Sequence, residues 1–274
     1  MTGSSDTTKK TLAAVPPVEE SYLERMEKTL HTAEQTVAAA VATAPAPAAL
    51  AVSVVIPVYN ERDTIAEIVR RVQAVGLHHE IVIVDDFSVD GSRAILLELA
   101  KQDDIRVLMH GYNRGKGAAL RTAFSQLEGD VVLIQDADLE YNPADFPKLL
   151  APIERGEADV VYGSRFLENS QQDPSRFHRF GNWLLTRLSN VMTGQRLTDM
   201  GTCYKVFRRE LIEEIEIEQN RFGFEPEITA KLSRRGHTIV EVPIDYDSRW
   251  VEEGKKIGIR DGLNALACIV RYRC

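Results

Sequence analysis

An apolar run that ends in closely spaced carboxylates limits the fold of this chain more than any other feature. Residues 131–134 read Val-Val-Leu-Ile, which is typical of a strand that is buried on both faces of a parallel sheet. Asp136, Asp138 and Glu140 follow it directly. Open α/β sheets bind ligands at the carboxyl ends of their strands, and Mg²⁺ is usually held by one or two carboxylates together with substrate phosphates. The pattern therefore predicts a site for a divalent cation and a diphosphate.

Strands and helices are predicted to alternate along most of the chain. Strands that alternate with helices of about 10–15 residues are typical of βαβ units and a mainly parallel sheet. The predicted strands are 53–57, 81–84, 105–109, 131–134, 160–162, 202–207 and 238–243. The predicted helices are 61–75, 92–101, 115–127, 143–155, 183–193, 208–215 and 225–235. We therefore expect an α/β fold with a mainly parallel sheet flanked by helices.

Residues 1–50 differ in composition from the rest of the chain. Residues 1–17 are polar and rich in Ser and Thr, residues 19–42 can form a helix, and residues 43–49 are rich in Ala and Pro. Such a composition is typical of a flexible tail and tether. We expect this tail to precede a single domain over residues 51–274 that ends in an amphipathic helix.

Composition argues against several classes of protein. The formal net charge of -8 disfavours nucleic-acid binding, which usually needs a basic surface. The three cysteines have no metal-ligand spacing, which suits a reducing cytosol. No apolar run reaches the ~20 residues of a membrane span, and the N-terminus lacks the apolar core of a signal peptide. We expect a cytoplasmic protein, either free or peripheral on the cytoplasmic face of a membrane. Whether it forms a homo-oligomer is left open by the sequence.

Two further strand ends carry side chains that suit a nucleotide. Asp85 and Asp86 follow the second predicted strand, where a carboxylate can accept hydrogen bonds from a nucleobase or a ribose. Pro57, Tyr59 and Glu61 close the first strand, and the Tyr59 ring can stack on a base. Neither a Gly-x-Gly-x-x-Gly fingerprint nor a Walker A lysine motif is present there. This disfavours dinucleotide oxidoreductases and P-loop NTPases.

A glycine-rich basic turn, Asn-Arg-Gly-Lys-Gly at residues 113–117, opens another predicted helix. Two glycines and two cations at a helix start allow a phosphate or a ribose to approach the backbone closely. Lys116 is the candidate ligand of this turn. A plain helix start, without a ligand, is the alternative.

These motifs occur together in a specific order. The segments are Ser-Val-Val-Ile-Pro-Val-Tyr-Asn-Glu, Val-Asp-Asp-Phe-Ser-Val-Asp-Gly, Asn-Arg-Gly-Lys-Gly, Asp-Ala-Asp-Leu-Glu and Gly-Ser-Arg-Phe. In this order the chain resembles the inverting family 2 glycosyltransferases with a GT-A fold. It is most similar to the branch that contains dolichyl-phosphate mannosyltransferase and polyprenyl-phosphate glucosyltransferases. The resemblance covers residues 52–273 and leaves out the first fifty.

The resemblance implies a nucleoside-diphosphate sugar donor with Mg²⁺ or Mn²⁺ on its diphosphate. Asp136, Asp138 and Glu140 fall on the metal positions of the family, although many relatives carry Gln in place of Glu140. Ala137 lies between the two aspartates in the donor segment. The resemblance also assigns Asp85 and Asp86 to base recognition. The remaining positions implied for the nucleotide pocket are Pro57, Tyr59, Glu61 and Lys116.

The acceptor side is implied by three later segments. Asp199 falls on a motif whose aspartate faces the acceptor. A hydroxyl acceptor needs a base to take its proton, whereas a phosphate acceptor is already anionic, so Asp199 would then orient a sugar hydroxyl or a cation. Ser164 and Arg165 resemble the acceptor-phosphate site. Glu225 and Glu227 begin a helix; the resemblance suggests that one contacts the donor sugar, and simple charges at a helix start are the alternative.

The segment after the last strand carries cations and an apolar stripe. Arg249, Lys255 and Lys256 resemble a family loop that clamps the diphosphate and stabilises the departing nucleotide; a solvated basic loop is the alternative. The stripe recurs at helical spacing, and we expect it to pack on the domain rather than on anionic lipid. Its residues are Ile259, Leu263, Leu266 and Val270.

We interpret the chain as a metal-dependent inverting glycosyltransferase that moves a hexose from GDP-mannose or UDP-glucose to a polyprenyl or dolichyl phosphate. Transfer to a hydroxyl of a sugar or small molecule, with Asp199 as base, is the alternative acceptor chemistry. A sugar nucleotidyltransferase would release pyrophosphate, and it would usually carry a basic glycine-rich loop that residues 57–61 lack. A non-catalytic sugar-nucleotide binder would hold the donor without turnover.

Overall fold

A seven-stranded sheet organises residues 49–274 in a computed structural model that describes residues 25–26, 28–32, 50–167, 176–248 and 259–273. The order is β3-β2-β1-β4-β6-β5-β7. Only β6 runs antiparallel to its neighbours, β4 and β5. The strands are β1 (Val52–Val58), β2 (Glu80–Asp85), β3 (Ile105–Met109), β4 (Val131–Ile134), β5 (Val160–Ser164), β6 (Lys205–Arg208) and β7 (Ile239–Pro243). The predicted α/β architecture with a mainly parallel sheet is confirmed.

Helices connect these strands and cover the sheet. Their bounds are α1 (Ile65–Val75), α2 (Ser92–Leu99), α3 (Lys116–Phe124), α4 (Phe146–Glu154), α5 (Arg176–Thr193), α6 (Arg209–Glu213), α7 (Phe224–Arg234) and α8 (Ile259–Arg271). Helix α1 begins four residues later than predicted, because residues 61–64 form a turn. Helix α5 begins seven residues before its predicted start at Trp183.

The chain divides into two compact units, Met1–Ala48 and Ala49–Cys274. In the first unit, residues 25–26 and 28–32 are helical and exposed. The rest of the helix predicted over residues 19–42 lies outside the described residues.

Three of the loops that leave the parallel strands share an unusual backbone conformation. Asn60, Phe87 and Leu139 follow β1, β2 and β4, and their φ angles are 53°, 68° and 63°. Residues with side chains rarely adopt a positive φ. Because strained backbone concentrates at ligand sites, these three outliers mark the carboxyl edge of the sheet as the place to look for function.

The antiparallel strand β6 brings a later part of the chain beside β4. The Tyr204 hydroxyl donates a hydrogen bond of 2.8 Å to Gln135, and the Cys203 N–H donates one of 3.0 Å to the Tyr141 hydroxyl. All four residues are buried. The residues just before β6 are thereby fixed against those that follow β4, so the predicted donor and acceptor segments meet at one edge.

The C-terminal helix α8 does not bury the stripe that we expected it to bury. Leu263, Leu266 and Val270 are 62%, 40% and 44% exposed, and the side chain of Ile259 lies outside the described residues. The opposite face is buried instead. It consists of Ala265, Cys268, Ile269 and Tyr272. Cys268 and Tyr272 pack with Ala230 of α7, so this face, rather than the predicted stripe, makes the contact with the neighbouring helix.

Within the part of the chain that the structure describes, no helix combines the length and the apolar character needed to cross a membrane.

Candidate functional site

The carboxylate of Asp136, which follows β4, forms an ion pair with Lys116, whose side chain is only 14% exposed. The Lys116 Nζ lies 2.9 Å from Asp136 Oδ1 and 3.5 Å from Glu225 Oε1. Burial by itself would lower the pKa of Lys116, but the negative charges of Asp136 and Glu225 raise that pKa well above its usual value. The lysine is therefore charged at neutral pH. It joins the starts of α3 and α7 to the end of β4.

Asp136 is held in its ionised form by the same contacts. Burial would raise the pKa of its carboxyl, yet the Lys116 charge and hydrogen bonds from Lys116 and the Cys203 thiol bring the pKa below its ordinary value. The Cys203 thiol responds in the opposite sense, because burial and the nearby Asp136 charge raise its pKa well above 9.0. The thiol is thus a neutral hydrogen-bond donor to the carboxylate.

The three carboxylates predicted to hold a metal do not converge. Asp138 Oδ1 accepts a hydrogen bond of 3.2 Å from the Glu140 N–H, while Glu140 Oε2 accepts one of 2.9 Å from the Tyr246 hydroxyl. Among the described residues, no group of three or more His, Cys, Asp and Glu side chains is arranged around a metal position. Asp136 and Asp138 still offer hard oxygen donors at the strand end. This set fits a cation that takes its other ligands from phosphate and water.

Asp86 is committed to hydrogen bonds within the protein. Its carboxylate accepts bonds from the backbone N–H groups of Arg114 and Gly115, at 2.8 and 2.6 Å. The His110 ring nitrogen Nδ1 lies 2.7 Å from it. Asp86 therefore fastens the glycine-rich basic turn to the end of β2. In this way it sets the position of Lys116, the next residue of that turn.

Asp85 is likewise engaged inside the protein. The Arg93 Nε donates a hydrogen bond of 2.6 Å to Asp85, and the Ser88 N–H lies 3.2 Å from both carboxylate oxygens. Asp85 and Asp86 were predicted to contact the nucleoside. The structure places both carboxyls at the expected edge, and it shows them buried and shaping the loops around it.

The loops after β1 and β2 are joined to each other. The Asn60 N–H donates to Ser88 Oγ and the Val89 N–H donates to Asn60 Oδ1, each at 2.9 Å. Tyr59 is 37% exposed beside this junction. Glu61 is buried, and its carboxylate accepts a hydrogen bond of 2.8 Å from the Thr64 hydroxyl at the start of α1. The other residues predicted for the pocket are the half-buried Pro57 and the buried Ala137.

On the predicted acceptor side, Asp199 forms a buried, bidentate ion pair with Arg165. The Arg165 Nε and Nη2 donate hydrogen bonds of 2.7 and 2.8 Å to the two carboxylate oxygens, and the Asn182 amide donates a third of 3.0 Å. Burial would raise the pKa of Asp199, but the Arg165 charge and these bonds lower it. Both oxygens are occupied, which favours an orienting role over that of a base.

The contacts of Asp199 hold Arg165 beside an aromatic ring. The Arg165 guanidinium carbon lies 5.0 Å from the centre of the Tyr246 ring. Ser164 shares a hydrogen bond of 2.6 Å with the Thr198 hydroxyl. The structure thus brings together Ser164, Arg165 and Asp199, and the binding of an acceptor phosphate there stays a prediction.

The two glutamates at the start of α7 have different surroundings. Glu225 faces the Lys116–Asp136 pair. Glu227 is fully buried and accepts hydrogen bonds of 2.8 Å from the N–H groups of residues 218–219 and of 2.7 Å from Lys231. Both were predicted to bind the acceptor, and for Glu225 this role stays a prediction. Glu227 instead fastens the segment before α7.

A fully buried lysine was not predicted. Lys205 in β6 is fully buried, and its Nζ donates hydrogen bonds to the carbonyls of Met200 and Thr202 at 3.0 and 2.5 Å. It lies 4.1 Å from the Tyr162 ring centre, and burial lowers its pKa to about 8. A lysine within an apolar strand was the available signal. Tyr246, the partner of Glu140 and Arg165, carried no comparable signal in the sequence.

The three cations predicted to clamp the diphosphate, Arg249, Lys255 and Lys256, lie outside the described residues.

Comparison with known proteins gives matches at the level of family and of fold. The model of the family described as "Glycosyl transferase family 2" matches residues 53–216. A curated relative from Klebsiella pneumoniae, undecaprenyl-phosphate 4-deoxy-4-formamido-L-arabinose transferase, is 34% identical over 210 residues. The match covers 74% of this chain and 62% of that protein, so the chain spans less than two thirds of the length of this relative.

Solved structures of glucosyl-3-phosphoglycerate synthase from Mycobacterium tuberculosis resemble the fold. The complex with Mn²⁺, uridine diphosphate and phosphoglyceric acid has a TM-score of 0.65 and 21% identity, and covers 83% of this chain and 80% of that chain. The complex with Mn²⁺ and UDP-glucose gives the same values. These structures confirm the predicted GT-A architecture.

We predict that replacing Asp199→Asn lowers the free energy of unfolding by about 3 kcal/mol, because it leaves the Arg165 charge buried without its counter-charge. The folded-state pKa of Asp199 lies below its ordinary 3.8, so the ion pair stabilises the wild type fully above that pH. The stabilisation is lost as pH falls through the lower folded-state value. Urea unfolding should therefore show a difference between the two proteins that is constant near pH 7 and shrinks below pH 3.8.

Asp63→Asn is the matched control, because its carboxylate is 83% exposed and pairs only at the surface. We expect that variant to unfold like the wild type. Equal free energies of unfolding for Asp199→Asn and wild type at pH 7 would contradict the predicted contribution of the buried ion pair to stability.

Proposed function

Since the chain belongs to glycosyl transferase family 2, we propose that this glycosyltransferase moves a hexose from a nucleoside-diphosphate sugar to a polyprenyl phosphate. The proposal includes inversion at the anomeric carbon. The observation that carries it is the Arg165–Asp199 pair, in which both carboxylate oxygens are occupied by donors. A site whose aspartate is tied up in this way suits an acceptor that needs no base.

A phosphate acceptor fits the chemistry of this side of the site. It is anionic before it reacts, so it requires a cation rather than a proton acceptor. Arg binds phosphate through paired hydrogen bonds, and Asp199 keeps the Arg165 guanidinium in one orientation. The Klebsiella relative is named for its action with undecaprenyl phosphate, which supports a polyprenyl phosphate as the acceptor here.

A divalent cation, Mg²⁺ or Mn²⁺, is proposed to bind with the donor. Asp136 and Asp138 would hold it, and a bound cation would neutralise charge that grows on the leaving diphosphate. Glu140 is a weaker candidate for a metal ligand, because its carboxylate accepts a hydrogen bond from the Tyr246 hydroxyl. The Mycobacterium structures contain Mn²⁺ or Mg²⁺ with uridine diphosphate. This favours UDP-glucose over GDP-mannose as the first donor to test.

Lys116, the lysine of the basic turn, is proposed to bind the diphosphate of the donor. Lys116 is charged and contacts both Asp136 and Glu225, so a phosphate bound beside Asp136 would meet a positive charge that the two carboxylates hold in position. Asp85 and Asp86 would shape the nucleoside pocket. The clamp by Arg249, Lys255 and Lys256 stays a proposal, and so does the division into a tail over residues 1–50 and a catalytic domain over residues 51–274.

A turnover assay tests the proposed reaction. Wild-type protein is incubated with Mg²⁺ or Mn²⁺, UDP-glucose or GDP-mannose, and a short polyprenyl phosphate, and the lipid phase is analysed by mass spectrometry. We expect a metal-dependent glycosyl phospholipid and release of a nucleoside diphosphate. Asp138→Asn should reduce the rate at least about 100-fold, since metal positioning contributes several kcal/mol to catalysis. Asp103→Asn, on the exposed turn before β3, is the control and should keep full activity.

Other products would assign other functions. Nucleoside diphosphate without a lipid product would contradict the phosphate acceptor and favour a hydroxyl, as in the alternative with Asp199 as base. Release of pyrophosphate would identify a nucleotidyltransferase. Donor binding without any product would indicate a non-catalytic binder.

An exposed apolar surface offers a place for membrane contact. Helices α5 and α8 pack against each other, and we propose that the apolar side chains they leave exposed together form this surface. Its members are Phe180, Trp183, Leu184, Leu263, Leu266 and Val270, each at least 40% exposed. Exposed cations adjoin it, namely Arg179, Arg187, Arg271 and Arg273. An apolar helix face with flanking cations suits anionic lipid, and a lipid acceptor requires such proximity.

We predict that the protein sediments with vesicles that contain phosphatidylglycerol and that Trp183→Ser with Leu263→Ser reduces the bound fraction severalfold. Both side chains are more than half exposed, so the changes remove apolar contact with lipid without opening the core. Leu97→Ser, at a similarly exposed position on α2, is the control and should bind like the wild type. Equal sedimentation of the double variant and the control would exclude this surface as the contact.

A further inference from the structure

Phe87 occupies a backbone conformation that a bulky residue seldom adopts. Its φ is 68°, where glycine is unstrained and a large side chain is not. It stands directly after Asp85 and Asp86, at the carboxyl end of β2, and its ring is 37% exposed. A strained residue at a ligand-binding edge is a reason to look for a function of its side chain.

One face of the Phe87 ring has a fixed support. The Arg93 guanidinium carbon lies 5.0 Å from the ring centre. Arg93 is itself held by hydrogen bonds of 2.6 Å to Asp85 and of 2.6 Å to the His110 carbonyl. The cation and its two acceptors therefore hold the ring from one side. They leave it partly exposed where the loop faces solvent.

A second partly exposed ring stands on the neighbouring loop. Tyr59 follows β1 and has the same exposed fraction as Phe87, 37%. The loops that carry the two rings are joined by the hydrogen bonds between Asn60 and residues 88–89. Two aromatic side chains are thus presented from loops with fixed relative positions, at the edge where α/β sheets bind nucleotides.

We propose that Phe87 is a base-stacking residue of the donor site. The inference rests on the proposed function and deepens it, since the ligand is the planar base of the nucleoside diphosphate. The carboxylates of Asp85 and Asp86 already accept hydrogen bonds from the protein, and the partly exposed Phe87 ring beside them offers an aromatic face to a planar base. Stacking tolerates every base because each has a π face, so uracil and guanine should both benefit.

Two variants remove the ring and keep the backbone. Phe87→Gly and Phe87→Asn both suit a positive φ, so their melting temperatures should equal or exceed that of the wild type. Affinities are measured by calorimetry with Mn²⁺ for UDP, GDP and inorganic pyrophosphate. We expect UDP and GDP to bind about tenfold more weakly than to wild type, within the range of one base stack. Pyrophosphate should bind equally, and Phe87→Tyr should retain nucleotide binding within about twofold.

Three results would overturn the inference, and they can be told apart. Unchanged nucleotide affinity in the Gly and Asn variants would show that the ring does not contact the base. An equal loss for pyrophosphate and nucleotides, or a lower melting temperature, would show that the ring only supports the loop. If the wild type itself bound neither UDP nor GDP, the proposed function would fail together with the inference.

Discussion

The ion pair between Lys116 and Asp136 is the interaction on which the candidate site depends most. It joins the start of α3 to the end of β4, and Glu225 ties the start of α7 to the same lysine. All three groups are largely removed from water, so the loss of one partner would leave an unbalanced buried charge. The pair therefore both fixes the geometry of the edge and keeps Asp136 ionised.

This arrangement has a consequence for how a metal and a diphosphate bind. A lysine beside Asp136 repels a free divalent cation, and it attracts the negative charge of a phosphate. The carboxylates of Asp136 and Asp138 would fill only some of the ligand positions of Mg²⁺ or Mn²⁺, and phosphate and water would fill the rest. We therefore expect the metal and the nucleoside diphosphate to bind together rather than separately.

Several acidic side chains around the site serve to position other groups. Asp86 holds the turn that carries Lys116, Asp199 holds Arg165, and Glu227 holds the segment before α7. Each is buried and accepts hydrogen bonds from the protein. Because an unpaired buried carboxylate would be strongly destabilising, each of these groups depends on its partners.

The positions of the strands along the chain were largely predictable from the sequence. The contacts between distant residues were not. The predictions of strands at 105–109 and 131–134 match the observed bounds of β3 and β4, because short, mostly apolar segments are typical of strands. The prediction of which face of α8 is buried was wrong. Helical spacing shows that a helix has an apolar face, but it does not show which face contacts a neighbouring element. Local spacing also could not predict that Lys116 pairs with Asp136 and Glu225, which are distant in sequence.

In the candidate site, too, the positions of the residues were predictable and their contacts were not. The motifs located the acidic strand ends correctly at one edge, because parallel strands place their carboxyl ends together. The engagement of Asp85, Asp86 and Asp199 within the protein depends on partners such as Arg93 and Arg165. Such partners lie on other elements, so only the folded chain reveals them.

The most direct test of this account is the affinity of Mn²⁺ measured by electron paramagnetic resonance, with and without UDP. We predict weak binding of Mn²⁺ alone and at least about tenfold tighter binding with UDP present, which corresponds to a coupling free energy of about 1.4 kcal/mol. Tight binding of Mn²⁺ in the absence of any nucleotide, unchanged by UDP, would contradict the account. It would mean that the protein supplies a metal site on its own and that the Lys116–Asp136 pair does not govern it.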